Sequence, residues 1–99
     1  MDSRVGAKRW IVSGQVQGVS FRHYTQEMAR QLELTGWVRN LPDGTVEVQV
    51  AGDELILGRF QDQLRDGPRF ARVDDIVEEP LDADRLIQNL GHRGFEVRW

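Results

Sequence analysis

The 99-residue sequence contains no cysteine. Disulfides and thiolate metal sites are therefore excluded, and cysteine usage leaves the redox compartment open. No apolar run approaches the roughly 18–20 residues needed to span a bilayer. The N-terminal stretch 1–8 lacks the apolar core of a secretory signal, so a cytoplasmic protein without a membrane partner is expected. Positive charge is in deficit: 13 Lys and Arg against 16 Asp and Glu leave a net charge of −3, which argues against a general nucleic-acid binder. The two histidines, His23 and His92, are far apart and lack helical metal-ligand spacing, so no metal site is expected. No Ser, His and Asp arrangement suggests a nucleophilic triad, and there is no repeat or low-complexity tract. What remains is one domain, long enough to bury roughly 60–70% of its unfolded surface. That suffices for one sheet and one layer of helices.

Against this background one segment stands out: Gly14-Gln15-Val16-Gln17-Gly18-Val19-Ser20-Phe21-Arg22. A β-branched and aromatic run, Trp10-Ile11-Val12, leads into two glycines four residues apart, and a helical pattern follows. Helix N-termini carry partial positive charge and free N–H groups, so acids are expected in the first turn. Here the first turn holds Arg22 and His23, with no acid before Glu27. Cation upon cation makes sense if a bound anion completes the site. Glycine lets the backbone approach a ligand, and a terminal arginine offers a planar fork to two phosphate oxygens. The spacing matches neither dinucleotide nor nucleotide-triphosphate loops, so the seat suits a single phosphate group. Charge is also split along the chain. Residues 1–39 carry six Lys/Arg against three Asp/Glu, whereas residues 40–99 carry seven against thirteen. The basic part holds the glycine loop.

Residues 1–7 read as a flexible lead-in, and residues 8–99 as the domain. Residues 8–13 alternate as a strand with Trp10 and Val12 on one face. From 21 to 32, Phe21, Tyr24, Met28, Ala29 and Leu32 form one helical stripe, with Ser20 as the expected N-cap. Residues 36–41 and 45–51 are strands joined through Leu41-Pro42-Asp43-Gly44, a strong hairpin signal. Asp53 is expected to cap a second helix with Leu57, Phe60 and Leu64 turned inward and Ile56 as an additional inward candidate, ended by Gly67-Pro68. Residues 71–79 read as a fourth strand whose broken phase suggests a bulge. Residues 81–93 read as a loop with a helical turn around 85–90, and Phe95 and Val97 mark a short last strand. The order β-α-β-β-α-β predicts an α+β, ferredoxin-like sandwich: an antiparallel sheet, two helices on one face and a short extra C-terminal strand.

Position alone leaves alternatives open. Arg22 can be a surface arginine paired with Glu27 or a strand acid, Gly18 an ordinary turn glycine, and Asn40 a residue serving local backbone hydrogen bonds. Trp10, Trp37 and Trp99 read as packing residues, and Asp43 and Gly44 as turn-formers.

Taken together, Gly14-x-Val16-Gln17-Gly18-Val19-x-Phe21-Arg22 and Gly36-Trp37-Val38-x-Asn40-x-x-Asp43-Gly44-x-Val46-Glu47 resemble the two signatures of the acylphosphatase family. Gly67-Pro68-x-x-Ala71-x-Val73 and Gly94-Phe95-x-Val97-Arg98-Trp99 are similar to its later landmarks. The resemblance implies a small cytosolic hydrolase of carboxyl-phosphate anhydrides that needs no metal or cofactor. It assigns phosphate binding to the loop Gln17, Gly18, Val19, Ser20, Phe21 and Arg22, and positioning of the attacking water to Asn40. Arg22 and Asn40 are thereby the expected catalytic pair. Gln15 stands where members often have a basic residue, and Ser20 occupies a variable position; both bear on substrate preference. The implied partners are a small acyl phosphate and inorganic phosphate, with no nucleic acid, and a monomer is expected. The alternatives are a phosphate-binding module of the same fold without turnover, and an RNA-recognition domain. The RNA reading is disfavoured by the acidic charge and by the absence of paired aromatics on the central strands.

Overall fold

The computed structural model describes residues 4–90 and 94–98. The expectations placed on residues 1–3, His92 and Trp99 fall outside the described residues. The elements run β1 (Val5–Gln15), α1 (Phe21–Gln31), β2 (Thr35–Asn40), β3 (Val46–Asp53), α2 (Glu54–Asp66), β4 (Arg72–Pro80), α3 (Ala83–Leu90) and β5 (Phe95–Arg98). β1 starts three residues before the sequence reading put it, because Val5, Gly6 and Ala7 pair with Asp53, Gly52 and Ala51 of β3. The expected lead-in thus contributes three residues to the sheet.

Period-two alternation turns Trp10 and Val12 of β1, Val46, Val48 and Val50 of β3 and Val38 of β2 toward one face. There they meet Phe21 and Ala29 of α1 and Leu57, Phe60 and Leu64 of α2 in the main core. Phe60 is its centre, with ring centroids 5.7 Å from Trp10 and 6.0 Å from Phe95. Strand order is β4-β1-β3-β2-β5. The first four strands pair antiparallel as the split βαβ order predicts, which is the ferredoxin-like arrangement. β5 extends the sheet beside β2 and runs parallel to it.

The bulge lies where β4 meets β1: Ser13 pairs with Asp75 and Gly14 with Val73, so the ladder skips Asp74. Gly14 is required here. Its φ is 123°, and a Cβ would strike the Arg72 carbonyl.

The stretch 81–93, read as a loop with a helical turn around 85–90, holds a two-turn helix, Ala83–Leu90. α3 starts at an Asp82 cap, whose carboxylate accepts from Arg85 N–H at 3.2 Å. It buries Leu86 and Leu90 against Ala7, Trp37 and Ala51, on the face away from α1 and α2. Two leucines four residues apart give little period to read in a polar stretch. The facing pair Ala7 and Ala51 is what lets the helix settle there. Running under the sheet, the chain passes from the β4 edge to the β5 edge.

Candidate active site

The loop after β1 is tied into the fold at both ends. Val16 is buried in the main core and Val19 packs against it. Gly18, with φ 75°, reverses the chain at an exposed position. Ser20 follows in the left-handed region, with φ 61° and ψ 26°, and its side chain makes no capping hydrogen bond. The expected N-cap is therefore not formed by its hydroxyl. A capping side chain needs an extended backbone to reach back to the second and third N–H groups, and the left-handed turn denies it. A non-glycine residue with positive φ costs of order 1–3 kcal/mol, and such residues cluster at functional sites. Its carbonyl still accepts the Tyr24 N–H at 3.0 Å. The first turn contains no acid. The Ser20 side chain thus does not cap α1 and its first turn holds no acid of its own, a setting suited to an anion.

This loop, the start of α1 and the ends of β2 and β5 surround a cavity of about 430 Å³ lined by Val16, Gly18, Ser20, Phe21, Arg22, His23, Asn40 and Val97. Five residues from the sequence assignment border it: Gly18, Ser20, Phe21, Arg22 and Asn40. The Arg22 guanidinium donates to the Arg98 carbonyl at 3.1 Å. Four residues on, Gln26 donates to the Phe95 carbonyl at 3.1 Å, so α1 is stitched to β5 along one face. Asn40 closes β2, two residues from Val38 and so on the helix-bearing face. Its Oδ1 is buried and has no hydrogen-bond partner among the described residues. A buried acceptor left open costs about 1–3 kcal/mol, and in a cavity of this size the natural partner is water or ligand.

Gln17 and Val19 do not border the cavity. The Gln17 side chain reaches across to the β2–β3 hairpin, donating to the Leu41 carbonyl at 2.9 Å and the Thr45 carbonyl at 2.8 Å. The hairpin itself is tight. Asp43 accepts from the Thr45 N–H at 3.0 Å and from its hydroxyl at 2.6 Å, and the hydroxyl bond is the main reason its carboxyl lies below the ordinary value. Asp43 and Gly44 form the turn as expected.

Three cavity residues were absent from the sequence assignment: Val16, His23 and Val97. Val97 could not be placed without the β5 register beside Val38. His23 is 72% exposed at the rim, 3.6 Å from Glu27. Among the described residues no group of three or more His, Asp or Glu could hold a metal ion. A second cavity, of about 390 Å³, lies across the sheet beneath α3, and none of the assigned residues borders it.

A model of the acylphosphatase family matches residues 8–97. An acylphosphatase of Anaeromyxobacter dehalogenans is 46% identical over 99 residues, spanning the whole of both chains. One from Marinobacter nauticus is 48% identical over 77 residues, which is 76% of this chain and 84% of that one. The crystal structure of acylphosphatase from Bacillus subtilis superposes with a TM-score of 0.85 at 34% identity, covering 97% of this chain and 100% of the other. Fold and cavity together define a ferredoxin-like α/β sandwich whose arginine-bearing loop faces a strand-end asparagine. The chain belongs to the acylphosphatase family.

Proposed function

We propose that this protein is an acylphosphatase: it hydrolyses the carboxyl–phosphate bond of acyl phosphates, releasing a carboxylate and inorganic phosphate, by metal-independent attack of a positioned water. The observation that carries the reading is the meeting of Arg22 and Asn40 at one cavity, with the asparagine acceptor buried and open. In this reading the main-chain N–H groups of Gly18, Ser20, Phe21 and Arg22 and the Arg22 guanidinium hold the phosphoryl oxygens. Phosphoryl transfer asks chiefly for positioning and for stabilisation of charge on those oxygens. Asn40 Oδ1 accepts one hydrogen of the water and directs its oxygen at phosphorus, opposite the acyl oxygen. The new P–O bond forms as the P–O bond to the acyl group breaks, and the electron pair departs on the carboxylate. Carboxylates are weak bases, with side-chain values near 4, so the leaving group needs no general acid. The water proton passes to a phosphate oxygen.

The family, together with a β4 edge that bears four carboxylates, a bulge and Pro80, supports a monomer acting on a small substrate in the cytoplasm. Charged and bulged edge strands resist pairing with another copy. The chain is read as a single domain, with residues 5–7 joining the expected 8–99, and with no nucleic-acid or membrane partner. The test is hydrolysis of acetyl phosphate in the presence of chelator by the wild type, Arg22→Ala and Asn40→Ala. Turnover by the wild type with loss in both variants supports the reading. Phosphate binding without turnover by the wild type replaces it with an anion-binding module.

A further inference from the structure

Gln17 is joined to the catalytic loop by the chain and to the Asn40 strand by its side chain. Both its partners, the Leu41 and Thr45 carbonyls, are acceptors, so the amide nitrogen must face them. Each carbonyl already takes a backbone bond within the hairpin, from Gly44 N–H at 3.1 Å and Leu41 N–H at 2.9 Å respectively. The carboxamide therefore fills the second lone pair of both and bridges the neck of the turn. Leu41 directly follows Asn40. No backbone hydrogen bond among the described residues links the loop 16–20 to residues 40–45. The side-chain bridge spans this gap.

We propose that Gln17 is a positioning residue for the reaction described above, and the proposal rests on that reading. Its carboxamide fixes the distance between the phosphate seat and the Asn40 carboxamide, so that water and phosphorus meet in line. The seat itself is built from the loop and the helix terminus and does not require the bridge. The bridge matters to the attacking water, and its loss acts on kcat more than on phosphate affinity. Displacement of a reacting group by about 1 Å can cost 10²-fold in rate.

Gln17→Glu is the informative variant, because it keeps the shape and removes both donors. The carboxylate faces two carbonyl oxygens, which disfavours its charged form and raises its proton affinity. Once protonated it donates again to one carbonyl. Gln17→Leu cannot recover at any pH. The experiment measures kcat for acetyl phosphate, inhibition by inorganic phosphate, and the NMR resonances of the Asn40 side-chain amide, between pH 5 and 8. At pH 8 both variants should lose between about ten-fold and 10²-fold in kcat, with the phosphate inhibition constant changed far less. Toward pH 5 the Gln17→Glu deficit should narrow while that of Gln17→Leu stays constant. The Asn40 resonances should shift in both variants and move back with acid only in Gln17→Glu. Unchanged kcat, equal losses in kcat and phosphate affinity, or a deficit in Gln17→Glu that ignores pH would each overturn the proposal. If the wild type does not turn over, the functional reading fails instead. The Asn40 resonances then decide the positioning role by themselves: a shift that acid reverses upholds it, and unmoved resonances overturn it.

Discussion

Arg22 occupies the first turn of α1, where the helix terminus already favours negative charge, and its guanidinium donates to the Arg98 carbonyl. Removing a preorganised charge-stabilising donor typically costs about 10²–10³ in rate. Arg22→Ala should lose at least that much, together with inhibition by inorganic phosphate. Asn40→Ala should lose turnover on a similar scale yet keep phosphate inhibition, because its amide addresses the water and not the phosphate. Survival of hydrolysis in Asn40→Ala would remove its assigned role. His23 poses a sharper question, since it stands at the rim of the same cavity. If the proton goes to phosphate, His23→Ala should keep its kcat within a few-fold and leave the shape of the pH–rate profile unchanged. A general base would instead cost about 10²–10⁴-fold on removal, and its titration would vanish from the profile.

At the level of elements, the two helices that cover the core begin in opposite ways, and their first residues should respond differently to mutation. Asp53 is extended, with φ −61° and ψ 133°, and its carboxylate accepts from the N–H groups of Leu55 at 2.9 Å and Ile56 at 3.3 Å. Asp53→Ala should therefore cost about 1 kcal/mol in urea denaturation. Ser20→Ala should cost much less, because the serine hydroxyl caps nothing. A comparable loss at Ser20 would mean that its hydroxyl does anchor the loop. The contrast also marks where local sequence logic holds. Asp53, the Pro-Asp-Gly turn, and the stripe of Leu57, Phe60 and Leu64 were legible because their causes lie within a few residues of chain. Ser20 has the right chemistry for a cap, but the backbone turn that withholds it is set by Val16 and Val19 sinking into a core assembled from distant elements. Only a turn of α3, around 85–90, was legible, for a related reason. Leu86 and Leu90 find their place only once Ala7, Trp37 and Ala51 have been brought together from three strands.

For the whole molecule, the sheet's two faces divide the labour, and the alternation of β3 reveals only half of it. Val46, Val48 and Val50 mark the core face, and Glu47 and Gln49 alternate with them as polar residues. Glu47 is nevertheless 2% exposed. Arg9 from β1 and Arg39 from β2 fold over it, at 2.6 and 2.7 Å, and Gln49 donates at 3.2 Å. These partners come from three strands, as the partners of Gln17 and Arg22 come from 24 and 76 residues away, and such pairings become visible only when the sheet is assembled. Burial pushes the Glu47 carboxyl up, but the bonds from Arg9, Arg39 and Gln49 outweigh it, so the group ends below its ordinary 4.5. A carboxylate depressed by folding stabilises the native state fully above its unfolded value and gives that stability up as the pH falls through its folded value. Stability measured by urea at fixed pH should therefore be flat with respect to this group above about pH 4.5, and should decline below it as Glu47 takes up its proton. Glu47→Gln leaves two arginines facing a neutral amide. Because Arg9 and Arg39 remain part-exposed, it should lower stability at pH 7 by about 1–3 kcal/mol, and the gap from wild type should shrink as both are titrated below pH 4.5. Since Glu47 lies on the sheet face opposite the cavity, folded Glu47→Gln should still bind inorganic phosphate at pH 7. A stability gap that stays constant down to pH 2 would show that the ion network contributes nothing that depends on the glutamate's charge.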